Sequence, residues 1–326
     1  MKISICVPTS RPDTVALTIQ SILKQSWTHW ELIAVGQGDS AHERTVATKE
    51  AVLSSTNDER VHYVHTPEKG ATRARNKAMM VATGEIFAFI DDDCEAHEDW
   101  LSTFVAYFER DPEIGLVGGA VIAPPKTGRG IGNCPTVSPT ETIYEPEKMG
   151  YTPPTGWDWI SCNVALRRDV AEKIGPWDDF LGPGTEFPAA DDTDYLLRAE
   201  ALNIKMATTP KALVTHTFGY RYNQQLLKHL RNYSIANGGL AGKLTLMGDI
   251  RGESWLNATK RERLTGWLKP FRPHRFFRSL TGWLLFSKAY DYCLMKYQVE
   301  NNLLHPLDQS QQAIQPHENT QVVQIS

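Results

Sequence analysis

The amino-acid sequence predicts an α/β fold, a mostly parallel central sheet flanked by helices, followed by an α-helical C-terminal extension. Three observations carry this prediction. Short apolar runs such as Ile3-Ser4-Ile5-Cys6-Val7 and Ile86-Phe87-Ala88-Phe89-Ile90 alternate with stretches whose apolar residues recur at helical spacing, which is the pattern of βαβ units. Polar and turn residues gather where the runs end, at Pro8-Thr9-Ser10-Arg11, Gly36-Gln37-Gly38-Asp39 and Asp91-Asp92-Asp93. Ligands of such sheets sit outside the carboxyl ends of the strands. Beyond His216 the pattern becomes helical, basic and aromatic.

Taken in order, residues 3–7 read as a first strand, stopped by Pro8. Val15, Leu17, Ile19, Ile22 and Leu23 mark a helix over 15–23, with Asp13 or Thr14 as its N-cap. Residues 30–35 and 61–64 are further strands, 72–82 a helix, and 86–90 the strand that runs into the three aspartates. A helix over 100–110 and a strand over 115–122 follow. Residues 124–154 are rich in Pro, Gly and Thr and longer than an ordinary connection, a candidate functional loop. A strand at 160–166, a short helix at 169–174 and a Gly/Pro turn at 181–188 lead to a helix over 192–202, with Leu196, Leu197 and Ala201 facing inward. The last stretch, 299–326, has six Gln and no Lys, Arg or aromatic residue, the composition of a flexible tail.

The chain has 326 residues, 41% hydrophobic and 22% charged, which excludes collagen-like, low-complexity and wholly disordered classes. Its formal charge is −4, yet residues 260–296 hold nine Lys/Arg against Glu262 and Asp291. An acidic body with a basic C-terminal segment argues against nucleic acid as a partner. Five cysteines without a CxxC pair argue against a disulfide framework or structural zinc and for a reducing compartment. With no signal-peptide pattern and no apolar run of membrane-spanning length, a cytoplasmic location is expected.

Two acidic clusters stand out. Asp91-Asp92-Asp93 follows a strand; three adjacent carboxylates repel one another and call for a cation or strong donors. If the segment stays extended, Asp91 and Asp93 face one ligand, and a hard ion such as Mg²⁺ or Mn²⁺ suits them. The alternative is a solvated acidic turn. Asp191-Asp192-Thr193-Asp194 opens a helix, where one Asp is an N-cap but three exceed that need, and a carboxylate there can serve as a general base.

In sequence order, Val7-Pro8-Thr9-Ser10-Arg11, Gly70-Ala71-Thr72-Arg73-Ala74-Arg75-Asn76, Gly84 to Asp93, Ser161 to Arg168, Ile174-Gly175-Pro176-Trp177-Asp178 and Asp191 to Asp194 with Arg198 form an ordered set. Over residues 1–220 this set closely resembles the family 2 glycosyltransferases of GT-A fold. The resemblance implies an inverting transfer from a nucleotide-sugar donor to a glycan or lipid-linked acceptor, with Mn²⁺ or Mg²⁺. It places Pro8, Thr9 and Arg11 in the first nucleotide-contacting loop and Arg75 near base and ribose. It turns Asp91 and Asp92 toward ribose and phosphate, and Asp93, with His216, toward the metal. Asp192 matches the general base, and Asp191 stands on the acceptor side where Glu is usual. Where the family commonly has Asp-Asp-Gly-Ser, this chain has Gly36-Gln37-Gly38-Asp39, so Asp39 becomes the candidate partner of the base.

Trp157 and Trp159 are candidates for stacking on a sugar acceptor, or else core anchors. His65, His97 and Cys94 are set aside, Cys94 because thiolate suits a hard cation poorly. Residues 267–296 mix arginines with Phe and Trp at helical spacing, which suits a surface-lying membrane helix at the inner face of the cell membrane, or a helical subdomain spanning 221–298. The rival functions are a nucleotidyltransferase, which the absence of a Gly-rich start disfavours, and an inactive nucleotide-sugar-binding scaffold, which joint retention of Asp91, Asp93 and Asp192 disfavours.

Overall fold

Strands buried along nearly their whole length are covered on both faces, as β1 (Ile3–Thr9), β2 (Trp30–Gln37) and β4 (Ile86–Ile90) are. In this computed structural model, residues 1–124, 131–132, 136–217, 221–265 and 273–307 are described. The chain divides into two units, Met1–Tyr233 and Ser234–Ser326.

In the first unit the elements run β1, α1 (Val15–Leu23), β2, α2 (Glu43–Ser55), β3 (Val61–Thr66), α3 (Ala71–Val81), β4, β5 (Cys94–Ala96), α4 (Trp100–Arg110) and β6 (Ile114–Ile122). Then come β7 (Ile131–Gly132), β8 (Thr142–Tyr144), β9 (Asn163–Arg167), α5 (Arg168–Ile174), α6 (Asp191–Ala201), β10 (Lys205–His216) and β11 (Arg221–Tyr222). The main sheet has the order β3-β2-β1-β4-β9-β6-β10-β5, with β8 also on β10. Strands β1, β2, β3, β4, β6 and β10 share one direction, while β9, β5 and β8 run against it. The expected mostly parallel sheet is therefore mixed at β9, whose apolar run alone does not reveal its direction.

Alternation along β2 fills two cores. Leu32 and Ala34 pack with Ile19 of α1, Val52 of α2 and Phe104 of α4. Ile33 and Val35 pack with Ala78 of α3, Ile174 of α5 and Tyr195 of α6. On α6 the buried face is Tyr195, Arg198 and Ala199; of the residues expected to face inward, Leu196 packs partly buried against this core, whereas Ala201 is exposed. Thr14 is the N-cap of α1, without a side-chain cap bond. Part of 124–154 lies outside the described residues; the remainder supplies β8 and a bridge from Val137 to Val121.

The carboxyl ends of β1, β2 and β4, the end of β10 and the start of β5 meet at one edge, because His216 pairs directly with Cys94. Strand β10 slips register against β6 between Thr209 and Leu213. The Asn163 side-chain amide braces this irregularity, donating to the carbonyls of Ala120 (2.7 Å) and Ala212 (2.8 Å). At the opposite edge, buried Glu31 accepts from Lys2 (2.8 Å), Ser4 (2.5 Å) and the Thr83 amide (2.6 Å).

The boundary of the second unit falls within α7 (Asn223–Leu246), and the unit holds α8 (Ile250–Thr265), α9 (Pro273–Lys296) and a hairpin of β12 (Tyr297–Glu300) and β13 (Leu303–Pro306). Helix α9 approaches α7 at glycines: a Cβ on Gly238 would lie 2.2 Å from the Phe286 carbonyl oxygen. Phe286, in the segment read as either a surface-lying membrane helix or a helical subdomain, is buried against Ala241 and Tyr290. The expected tail is corrected over 299–306, where Asn301 and Asn302, at φ +50° and +63°, close the hairpin. Two asparagines tolerate the left-handed conformation that such a two-residue turn needs. Residues 308–326 and 266–272 lie outside the described residues. Cys6, Cys94 and Cys162 are free and buried, and Cys293 is buried; Cys134 lies outside the described residues.

Candidate active site

The three aspartates after β4 do not stay extended. The Cys94 amide donates to the Asp91 carbonyl (3.1 Å), closing a turn that fans the carboxylates in three directions. Asp92, 2% exposed, points back into the loop after β1. It accepts from Thr9 Oγ1 (3.1 Å), the Ser10 amide (2.7 Å), the Arg11 amide (2.9 Å) and the Arg11 guanidinium. Burial lifts its pKa, against the pull of Arg11. This corrects the expectation for Asp92: its oxygens fasten the loop after β1 and are spent there. Pro8 and Thr9 are buried in β1, whereas Arg11 keeps its side chain 40% exposed.

Asp91 faces the other way, to Arg75 Nη2 at 3.0 Å. Arg75 is 1% exposed and uses its other terminal nitrogen on Asp191 Oδ2 at 2.6 Å. Its guanidinium also lies 5.1 Å from the Trp177 ring centroid. Burial disfavours the charge, but Asp91 and Asp191 hold it firmly on the guanidinium. The expected contact of Arg75 with base and ribose is thereby corrected. A planar fork sealed between two carboxylates positions the clusters and has no surface left for a ligand. Asn76 completes the brace, donating to the Trp177 carbonyl (2.9 Å) and accepting from the Trp177 amide (2.8 Å).

Helix α6 begins after Ala190, which sits in the left-handed region at φ +66°, a conformation costing a non-glycine residue on the order of 1 kcal/mol. Asp191, buried against Arg75, is an anchor for that arginine, which corrects its expected place on the acceptor side. Asp194 pairs with Arg198 at 3.0 Å, and Arg198 reaches the carbonyls of Ile174 (3.0 Å) and Pro176 (2.9 Å). Asp192 lies between these pairs, half-buried, with Oδ1 accepting from the Thr193 amide at 2.8 Å. Burial first, and the charge of Asp191 second, push its pKa up to about 7.

Asp93 turns Oδ2 to Arg11 (3.0 Å) and Oδ1 toward His216 Nε2 (3.4 Å). Asp93, Cys94 and His216 are all buried, and one ligand atom from each lies within 4.8 Å of the others. The donor set fits a divalent cation.

A cavity of about 240 Å³ opens beside the Asp92 loop, lined among others by Thr9, Ser10, Gln37, Asp39, Arg44 and Lys69. Asp39 is exposed at its rim, where the sequence expects a base contact. Gln37 is turned aside, its amide oxygen accepting from the Gly70 amide (2.6 Å), and Arg44 Nε donates to the Ser10 carbonyl (2.6 Å). Arg44 and Lys69 escape sequence reasoning because nothing in their spacing ties them to Thr9. Gly36 is explained sterically: a Cβ there would lie 2.1 Å from the Tyr63 hydroxyl, so Tyr63 fills the space of the usual acidic side chain.

Trp157 and Trp159 do not face the cleft. At 8% and 4% exposure they pack in the α3–α6 core, Trp157 edge-on to Tyr144 at 5.1 Å. Their expected acceptor contact is replaced by a core role.

Comparison with known proteins matches residues 4–175 to the model of Glycosyl transferase family 2. Over 231 residues, the chain is 26% identical to a glucosyl-dolichyl phosphate glucuronosyltransferase of Haloferax volcanii, covering 68% of this chain and 71% of that protein. Over 92 residues it is 32% identical to an Escherichia coli UDP-Glc:alpha-D-GlcNAc-diphosphoundecaprenol beta-1,3-glucosyltransferase, 28% of this chain but only 34% of that one. Among solved structures, a mannosyltransferase of Pyrobaculum calidifontis in complex with GDP-Man and Mn²⁺ superposes with a TM-score of 0.53 at 17% identity, covering 90% of this chain and 87% of that one. More than half the chain carries the family pattern on the expected GT-A sheet, and the protein is a nucleotide-sugar-dependent glycosyltransferase that belongs to glycosyl transferase family 2.

Proposed function

We propose that the enzyme moves a sugar from a nucleoside-diphosphate donor to a hydroxyl of a glycan or lipid-linked acceptor, with inversion at the transferred carbon and Asp192 as general base. One observation carries the reading. Among the described residues, Asp192 is the carboxylate at the start of α6 with no arginine in salt-bridge reach, while Asp191 and Asp194 are spent on Arg75 and Arg198. An ordinary carboxylate is a weak base toward an alcohol, whereas one near neutrality is matched to the task. Asp192 takes the hydroxyl proton as the oxygen attacks, and the nucleoside diphosphate departs from the opposite face.

On the donor side, the cavity at Thr9, Asp39, Arg44 and Lys69 takes the nucleoside, and the half-exposed Arg11 supplies fixed positive charge to the diphosphate. Asp93 and His216 would hold a divalent cation, which when bound offsets the charge developing on the leaving group. The names of the two relatives, one glucosyl-dolichyl phosphate and the other diphosphoundecaprenol, support a lipid-linked acceptor. No helix of the described residues is long and apolar enough to cross a membrane. A peripheral contact is supported by Leu284, Tyr292 and Met295, exposed along α9.

The test is an assay of UDP-, GDP-, dTDP- and CDP-sugars with a lipid-diphosphate acceptor, the product's anomeric configuration being read by NMR. Inverted product from the native chain and none from Asp192→Asn, with nucleotide binding kept, is expected. Retained configuration, or full turnover by Asp192→Asn, overturns the reading; nucleotide binding without transfer by the native chain turns it to a scaffold.

A further inference from the structure

We propose that Cys94 is a third ligand beside Asp93 and His216, and that the three select a thiophilic divalent ion of the zinc and cobalt class over Mg²⁺. The inference rests on the metal reading of this site and goes beyond it by naming the sulfur and the class of ion it admits. Cys94 and His216 are directly opposed residues of the antiparallel β5–β10 pair, so their side chains project from the same face a few ångströms apart. Asp93, adjacent in sequence, has committed Oδ2 to Arg11 and presents Oδ1 to the other two.

The spacings suit a small tetrahedral ion. Bond lengths of roughly 2.0 Å to oxygen and nitrogen and 2.3 Å to sulfur place tetrahedral ligands about 3.3 Å (O to N) and 3.5 Å (O to S) apart. Here His216 Nε2 and Asp93 Oδ1 are 3.4 Å apart. Cys94 Sγ lies 4.0 Å from Asp93 Oδ1 and within 4.8 Å of the His216 ligand nitrogen, so the cysteine moves inward to close the set. Three protein ligands with one position left over is the arrangement of catalytic zinc-class sites. Mg²⁺ demands an octahedral oxygen shell and has no use for sulfur or for a buried three-atom cradle. As the ion binds, the Cys94 thiol proton leaves to solvent and a sulfur lone pair takes its place on the metal. The chemistry that sets Cys94 aside as a partner for a hard ion is the same chemistry that makes it a filter against one.

The test titrates the full-length chain with Co²⁺ alone and follows the near-ultraviolet charge-transfer band that appears only when sulfur binds cobalt. The band should rise to one ion per chain, be displaced by Zn²⁺ and withstand excess Mg²⁺. It should vanish in Cys94→Ser and in His216→Gln, which leaves the thiol in place, with both folds checked by circular dichroism. Zn²⁺ affinity should fall about tenfold or more in Cys94→Ser. Should the serine variant not fold, the wild-type band and its loss in His216→Gln decide the matter. Co²⁺ bound with no band, or a band that survives in folded Cys94→Ser, overturns the proposal while an Asp93–His216 metal site stands. No binding of Co²⁺, Zn²⁺, Mn²⁺ or Mg²⁺, with or without UDP, overturns both.

Discussion

Replacing Asp192 by Asn should make the enzyme inactive and, above neutral pH, more stable. The amide keeps an oxygen for the Thr193 amide and nearly the same volume, but never carries charge. In the native chain the Asp192 carboxyl rises from its ordinary 3.8 to about 7, so the folded state holds a proton that the unfolded chain has released between about pH 4 and 7. Stability therefore falls as pH climbs through that window, and at pH 8 the wild type carries a charge that burial and Asp191 oppose. A rise of about three units corresponds to roughly 4 kcal/mol at most. Sharing of the repulsion with Asp191 and partial solvation leave about 1–2 kcal/mol for Asp192 alone. For a unit of this size that is a gain of about 2–8 °C in Tm at pH 8, shrinking to about 1 °C at pH 5, where both side chains are neutral. Scanning calorimetry at the two pH values measures it, beside a turnover assay expected to fall about 10²–10⁴-fold. A variant no more stable relative to wild type at pH 8 than at pH 5 would refute the placement of an opposed charge at this position.

Further outcomes follow from the same geometry. Arg75→Met should strand Asp91 and Asp191 and cost about 3–5 kcal/mol, while Arg75→Lys, lacking the fork, should recover only part of it by thermal melting. Glu31 is held down to about 2 despite burial, because Lys2, Ser4 and Thr83 hydrogen-bond its charged form. Its stabilisation is full above its ordinary 4.5 and lost as pH falls toward 2, so Glu31→Gln should flatten the acid limb of a Tm-against-pH curve. Trp159→Ala should lower stability by about 3–5 kcal/mol with acceptor KM unchanged; a raised KM at equal stability would return Trp159 to the acceptor side. Gly36→Ala should destabilise by about 1–3 kcal/mol through the clash with Tyr63, and a Tyr63→Ala background should absorb most of that penalty in a double-mutant cycle.

Where a strand is apolar at every position, as in β4, the sequence states both the element and its double burial, and the polar end of that run locates the site. Direction is another matter. The apolar Val164 to Leu166 run has the same look whether β9 lies parallel or antiparallel to β4. The aspartate triplet reads equally as extended segment or turn, and only the Cys94 amide bond to Asp91 decides which way each carboxylate points. Arg75 is legible as a site residue, but its partners are 16 and 116 residues away, a separation no local pattern encodes. The same holds for Cys94 and His216, joined by a cross-strand pair. Trp157 and Trp159 mislead because aromatic size, without depth, does not distinguish a sugar platform from a core filler. Asn301-Asn302 is a hairpin signal hidden in a tail-like composition.

The Arg75 fork has a bearing on ionic strength. Ordinary salt weakens attraction between charges that it can surround, and mobile ions cannot enter a space where a guanidinium is 1% exposed. The pairs from Arg75 to Asp191 and from Arg198 to Asp194, buried on both sides, keep their strength in brine, whereas an exposed pair such as Lys173–Asp169 is screened away. The spacing between α3 and the start of α6 is thus fixed by counter-ions built into the chain, and it stays constant while the surface charge pattern around it fades.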